Sequence, residues 1–123
     1  MISFEQFLMA DGVPIYLQIL LYIKRGIVAG VILHGDELPS RRVLSARLGV
    51  NPNTVQKSYR LLEEEGLIQS HSGAKSMMVL PPETVARVRA ELLENDARAI
   101  AAAMKQMGLG KAEALALLEQ YWD

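Results

Sequence analysis

At 123 residues, half of them hydrophobic, the chain has the size of one domain with a short appended piece and enough apolar material for a core. It contains no cysteine, which excludes disulfides, thiolate metal sites and cysteine nucleophiles, and no apolar run of the roughly 18–20 residues that a membrane span needs. The net charge of −1 announces no nucleic-acid partner, and the start, MISFEQFLMADG, lacks the basic region and apolar core of a secretory signal, which leaves the cytoplasm as the expected location.

Pro14 suits the first turn of a helix, where its missing N–H costs nothing. Behind it Ile15, Ile19, Ile23 and Ile27 repeat every fourth residue, an amphipathic stripe that Gly30 ends. Gly30 to Pro39 reads as a glycine-punctuated connection. Ser40 is an N-cap for a short helix running to Leu48, with Leu44 and Leu48 inward and Gly49 just past its end. Asn51 then caps the next helix, and Pro52 falls at its first position. Val55, Tyr59 and Leu62 are its buried stripe, and Gly66 closes it. Two short helices around so tight a corner form a helix-turn-helix. Leu67 to Ser70 reads as a strand, His71 to Lys75 as a turn and Ser76 to Leu80 as a returning strand.

After Pro81-Pro82, helical spacing runs from Val85 to Met107 over two apolar stripes. A final short helix carries Ala112, Leu115, Leu118 and Trp122. The expected fold is therefore mainly α with a small β-hairpin. Residues 1–80 form a winged helix-turn-helix domain, and residues 81–123 form a two-helix dimerisation tail.

With Val55, Tyr59 and Leu62 inward, the opposite face of the second helix shows Asn53, Gln56, Lys57 and Arg60. Asn and Gln pair bidentately with adenine, and Lys and Arg serve guanine edges or phosphates. In helix-turn-helix proteins the start of the second helix reaches the base edges. The N–H groups of its first turn are an expected phosphate site. Bases outnumber acids only between residues 34 and 80, by six to five. The acids there cluster at Asp36-Glu37 and Glu63-Glu64-Glu65, so Arg41, Arg42, Arg47, Lys57, Arg60 and Lys75 gather elsewhere. The glutamate run reads as a solvated helix end that also repels DNA.

Four blocks in order carry a more specific signal: Pro14-Ile15-Tyr16-Leu17-Gln18-Ile19, then Gly35 to Leu44 (GDELPSRRVL), then Leu48 to Val55 (LGVNPNTV), then Leu62 to Ile68 (LEEEGLI). Over residues 14 to 80 the chain resembles the GntR family of bacterial transcription regulators. Its Asn-Pro-Asn-Thr form and short tail are similar to the small YtrA-like subfamily. The resemblance implies a dimeric repressor on a palindromic operator, often of a transporter operon, without the large effector domain of longer members.

It also places Arg42 at the family's arginine in the Leu-Pro-Ser-x-Arg block, expected on the DNA backbone, and Asn53 and Thr54 at the start of the recognition helix. Pro52 stands where many members have arginine, which leaves groove reading to Asn53, Gln56 and Lys57. His34 replaces a usual proline. The wing departs most, with Lys75, Ser76 and Met77 after Gly73 where the family commonly has glycine, threonine and phenylalanine. The expected DNA-binding set is Arg41, Arg42, Asn51, Asn53, Thr54, Gln56, Lys57, Arg60, Gly73 and Lys75.

The tail has more apolar surface than its own domain can cover. A two-fold operator calls for a dimer, so Val85, Val88, Leu92, Leu93, Ile100, Met104, Leu115, Leu118 and Trp122 are expected at a homodimer interface. Two helices are too few to enclose a ligand cavity of about 300–1,000 Å³, and the effector is left unspecified. No catalytic residue, cofactor or metal is expected. His34 and His71 lie far apart in loops without ligand spacing, and no motif fixes a Ser-His-Asp geometry. The partners expected are double-stranded DNA and a second copy of the chain, with no membrane. Two readings stay open beside the regulator. One is a winged protein-interaction module without sequence-specific DNA binding. The other is the head of a longer fusion, against which the closing helix at Trp122-Asp123 argues.

Overall fold

The computed structural model describes residues 1–71 and 75–123. It divides into two compact units, Met1–Arg89 and Ala90–Asp123. In the first unit, α1 (Ile15–Val28) follows Pro14 and buries Ile19, Ile23 and Ile27, the stripe its spacing predicts. The glycine inside that stripe has a packing reason. A Cβ on Gly26 would lie 2.6 Å from Ile32 Cδ1, and the Gly26 carbonyl accepts the amides of both Val31 and Ile32, at 2.9 and 3.0 Å. The loop after α1 is thus folded directly back onto the helix.

α2 (Arg41–Leu48) starts at Ser40, whose Oγ accepts the Val43 amide at 3.2 Å. Gly49 ends it with φ 69°, a left-handed conformation that suits glycine. α3 (Pro52–Glu64) buries Val55, Ser58, Tyr59 and Leu62. Tyr59 is completely buried, and its hydroxyl donates to the Pro39 carbonyl at 2.7 Å. Burial pushes the phenol well above its usual range and the nearby Arg41 charge opposes this, so Tyr59 stays neutral.

The sheet has three strands rather than a bare hairpin. β1 (Glu37–Leu38) lies in the segment expected to be connection, and β2 (Ile68–His71) and β3 (Lys75–Met78) form the wing. The order is β1-β3-β2, antiparallel throughout, with Leu38 opposite Ser76 and Ile68 opposite Met78. Two residues are too few for an alternating pattern, and only the pairing with β3 makes β1 a strand.

An N-terminal arm adds to this unit. Ile2 and Phe4 are buried, and the Ile2 amide donates to the Glu37 carbonyl at 2.8 Å, beside the sheet. Phe4, Phe7 and Tyr22 form a ring cluster with centroids 5.0–5.9 Å apart. The Gln18 side chain accepts from the Ala10 amide and donates to the Ala10 and Val13 carbonyls.

α4 (Pro82–Gln106) begins in the first unit. There Val88 is part of the core, Val85 packs against that core, and Arg87 donates to the Glu65 carbonyl at 3.0 Å. Within the second unit, the later turns of α4 and α5 (Lys111–Gln120) flank an open apolar groove of about 500 Å³ lined by Ile100, Met104, Leu115 and Leu118 among others. No helix among the described residues is long and apolar enough to cross a membrane.

Candidate nucleic-acid interface

The corner between α2 and α3 is built by its own polar groups. Asn51 Oδ1 accepts the Asn53 amide at 2.8 Å, and the Asn51 carbonyl accepts the Thr54 amide at 2.9 Å. Pro52 has no N–H to offer. The first-turn amides of α3 on which a phosphate was expected are therefore already bonded to Asn51. Asn51 thus serves the geometry of the helix start.

Asn53, Gln56 and Arg60 recur at helical spacing on one exposed face of α3, opposite the buried Val55, Tyr59 and Leu62. The side-chain amides of Asn53 and Gln56 make no hydrogen bond among the described residues, so both present donors and acceptors outward. Arg60 Nε lies 3.9 Å from Glu64 Oε1, an exposed pair one turn apart. Such a pair contributes little and releases its cation readily. Thr54 is half-buried at the edge of this face.

Lys57 is set differently. Its Nζ stands 3.9 Å from the centroid of the Tyr16 ring on α1, whereas the sequence placed it in the groove-reading row. Arg41 is also seated on an aromatic ring, with Cζ 5.2 Å from the centre of Tyr59. Its Nε is buried and without a hydrogen-bond partner among the described residues. Part of the Arg41 guanidinium is thereby committed to the protein interior. Arg42, next to it, is exposed.

On the wing, Lys75 is opposite His71, and its Nζ lies 3.9 Å from Glu37 Oε2. Gly73, expected at the wing tip, lies outside the described residues. Ser76 is buried with its Oγ unpaired among the described residues.

Two residues outside the expected set brace this surface. Ser58 Oγ donates to the Tyr16 carbonyl at 2.7 Å, tying α3 to the first turn of α1. Lys24 Nζ meets Glu65 Oε1 at 2.8 Å, with the lysine side chain only 16% exposed. Glu65 is therefore a partner of α1, whereas the glutamate run read as a solvated helix end. His34 accepts the Leu80 amide on Nδ1 at 2.9 Å, so the residue standing in place of proline holds the chain just before α4. Among the described residues no group of His, Cys, Asp or Glu is arranged to hold a metal ion.

The residues expected at a dimer interface fall into two groups. Val85 and Val88 are taken up by the core of the first unit, and Leu92 is buried. Leu93, Ile100, Leu115 and Trp122 are exposed, Trp122 by 82%, and Met104 and Leu118 are half-buried along the α4–α5 groove.

Comparison with known proteins agrees with this architecture. The sequence profile of the bacterial regulatory proteins, gntR family, matches residues 15–76. The HTH-type transcriptional regulator YhcF of Bacillus subtilis is 34% identical over 102 residues, covering 83% of this chain and 84% of the relative. The HTH-type transcriptional repressor YtrA of the same organism is 43% identical over 63 residues, but the match covers 51% of this chain and 48% of that protein. Among solved structures, a GntR family transcriptional regulator from Listeria monocytogenes superposes with a TM-score of 0.80 at 29% identity, covering 91% of this chain and 98% of that one.

Proposed function

This chain belongs to the GntR family of bacterial regulatory proteins and is a DNA-binding transcription regulator; from that premise we propose that it is a dimeric repressor of YtrA-like type acting on a palindromic operator. The exposed row of Asn53, Gln56 and Arg60 on α3 carries the reading. Its amides, without partners among the described residues, and its weakly paired arginine are the groups that base edges require. Arg42, Arg41, Thr54 and Lys75 supply phosphate contacts around the row, and the wing of β2 and β3 approaches the neighbouring groove.

The region from residue 81 onward acts as the dimerisation tail. Exposed Leu93, Ile100, Leu115 and Trp122 and the apolar groove between α4 and α5 support a second copy of the chain as the occupant. An apolar surface of this kind on a helical tail invites association, and a two-fold operator requires two heads. The YtrA relative is named a repressor, which supports the repressor sign of the activity here.

The test is selection of duplexes from a random library by the full chain, with the particle mass measured by light scattering. A recovered palindrome bound by a dimer supports the proposal. Absence of duplex binding at low salt would favour a protein-interaction module instead.

A further inference from the structure

We infer that Tyr16 is a positioning residue that holds the Lys57 ammonium at the flank of α3, so that Lys57 contacts a phosphate and takes no part in reading base edges. This rests on the DNA-binding reading above.

A lysine beside Gln56 on an exposed helix can lean into the base-reading row or away from it. Here Nζ stands 3.9 Å from the Tyr16 ring centroid, within the range at which a ring face attracts a cation. The backbone that carries the ring is braced. Ser58, fully buried and next to Lys57, donates through Oγ to the Tyr16 carbonyl at 2.7 Å. Ring and lysine are thus mounted on the same braced pair of helices.

The contrast with Arg41 shows what the seat permits. The ring beneath Arg41 is completely buried and part of its guanidinium is buried with it. Tyr16 is half-buried and Lys57 remains exposed. One side of the ammonium meets the ring, and it has no other polar partner among the described residues. A compact, freely rotating cation suits a phosphate, whereas bidentate base reading favours Asn, Gln or Arg. With Lys57 drawn toward α1, the groove-facing row reduces to Asn53, Gln56 and Arg60.

The test uses the full chain with Lys57→Ala, Tyr16→Phe, Tyr16→Leu and the Tyr16→Leu/Lys57→Ala pair. Affinities are measured across a salt series for a duplex selected by the wild-type protein and for a random duplex. Ring-current shifts of the Lys57 side-chain protons are read by NMR without DNA. Lys57→Ala is expected to weaken both duplexes by a similar factor, roughly three- to tenfold, and to lower the salt slope by about one. Tyr16→Phe keeps the ring shift, the affinity and the slope. Tyr16→Leu loses the ring shift and part of the affinity, and adds nothing in the Lys57→Ala background.

A Lys57→Ala loss confined to the selected duplex would overturn the inference and leave the regulator reading intact. So would full additivity of the two substitutions, or a Tyr16→Phe defect equal to that of Tyr16→Leu. Failure of the wild-type chain to bind any duplex would overturn the phosphate role together with that reading, and the NMR shift would then report the Tyr16–Lys57 pairing alone.

Discussion

Tyr59 on α3 donates its buried hydroxyl to the carbonyl of Pro39, two residues before α2, at 2.7 Å. One hydrogen bond thereby fixes the start of the first helix of the motif against the middle of the second. Tyr59→Phe keeps the ring and removes the donor, leaving a buried carbonyl unsatisfied. The expected loss is about 1–3 kcal/mol of stability, read as a lower urea midpoint with an unchanged denaturant slope. An unchanged midpoint would show that the Pro39 carbonyl finds water or another donor.

Gly26→Ala pits two effects against each other. Alanine is favoured over glycine inside a helix by about 1 kcal/mol. The new Cβ would nevertheless stand 2.6 and 2.9 Å from Ile32 Cδ1 and Cγ1, contacts that force the buried Ile32 side chain to shift within its packing. Overpacking of this kind costs about 1–3 kcal/mol, so net destabilisation is expected. Ile32→Ala removes both offending atoms, and the double variant should be more stable than the sum of the single losses. A stabilised Gly26→Ala protein would mean that Ile32 yields without cost.

Lys24 and Glu65 meet at 2.8 Å and join α1 to the end of α3. Glu65 is about a third exposed, so solvent screens the pair and a coupling of about 1 kcal/mol is expected from a double-mutant cycle. High salt should reduce it. Zero coupling at low salt would assign the effect of Lys24 to its packed alkyl stem alone.

Much of this arrangement was legible because it is local. Ser40, Gly49, Asn51 and Pro52 act within a few residues of themselves, and the caps and helix bounds they announce are those found. The apolar stripes of α1 and α3 were equally plain, since burial follows their helical period. The two-residue β1 was not, because its pairing with β3 involves residues distant in the chain and shows no pattern of its own. The arm escaped for the same reason: Phe4 and Phe7 declare themselves only once Tyr22 is beside them. On α3, residue types indicated an exposed polar face of Asn53, Gln56, Lys57 and Arg60, with Lys57 counted among the groove readers. They could not show that Lys57 rests on Tyr16, or that Asn51 consumes the first-turn amides. Val85 and Val88 carry the helical period of an interface stripe, yet the core of the first unit claims them, and periodicity does not say which surface an apolar face meets.

The tail proposal predicts a clean separation of assembly from folding. Ile100→Glu and Leu115→Glu place charges on exposed apolar positions beside the α4–α5 groove. Each should convert a dimer to a monomer by light scattering while the unfolding midpoint of the first unit, followed by the buried Tyr59, stays near the wild-type value. Binding to a palindromic duplex should fall steeply, and binding to a half-site should change little. A dimer that survives both substitutions would move the interface elsewhere.

The proposed interface predicts that Gln56 serves recognition and Arg42 adhesion. Gln56 belongs to the exposed row whose amide has no partner among the described residues, whereas Arg42 is an exposed cation on α2. Removing a base-reading amide costs on the order of 1–3 kcal/mol on the cognate duplex and little on random DNA. Removing a phosphate contact weakens both, and lowers the slope of log affinity against log salt by about one. Gln56→Ala is therefore expected to reduce the ratio of selected-duplex to random-duplex affinity with its salt slope unchanged. Arg42→Ala is expected to leave that ratio intact and flatten the slope. Neither side chain is buried, so both variants should fold normally, and a thermal scan separates lost binding from lost structure. If Gln56→Ala weakened both duplexes equally while Arg42→Ala affected only the selected one, the two surfaces would have to be exchanged.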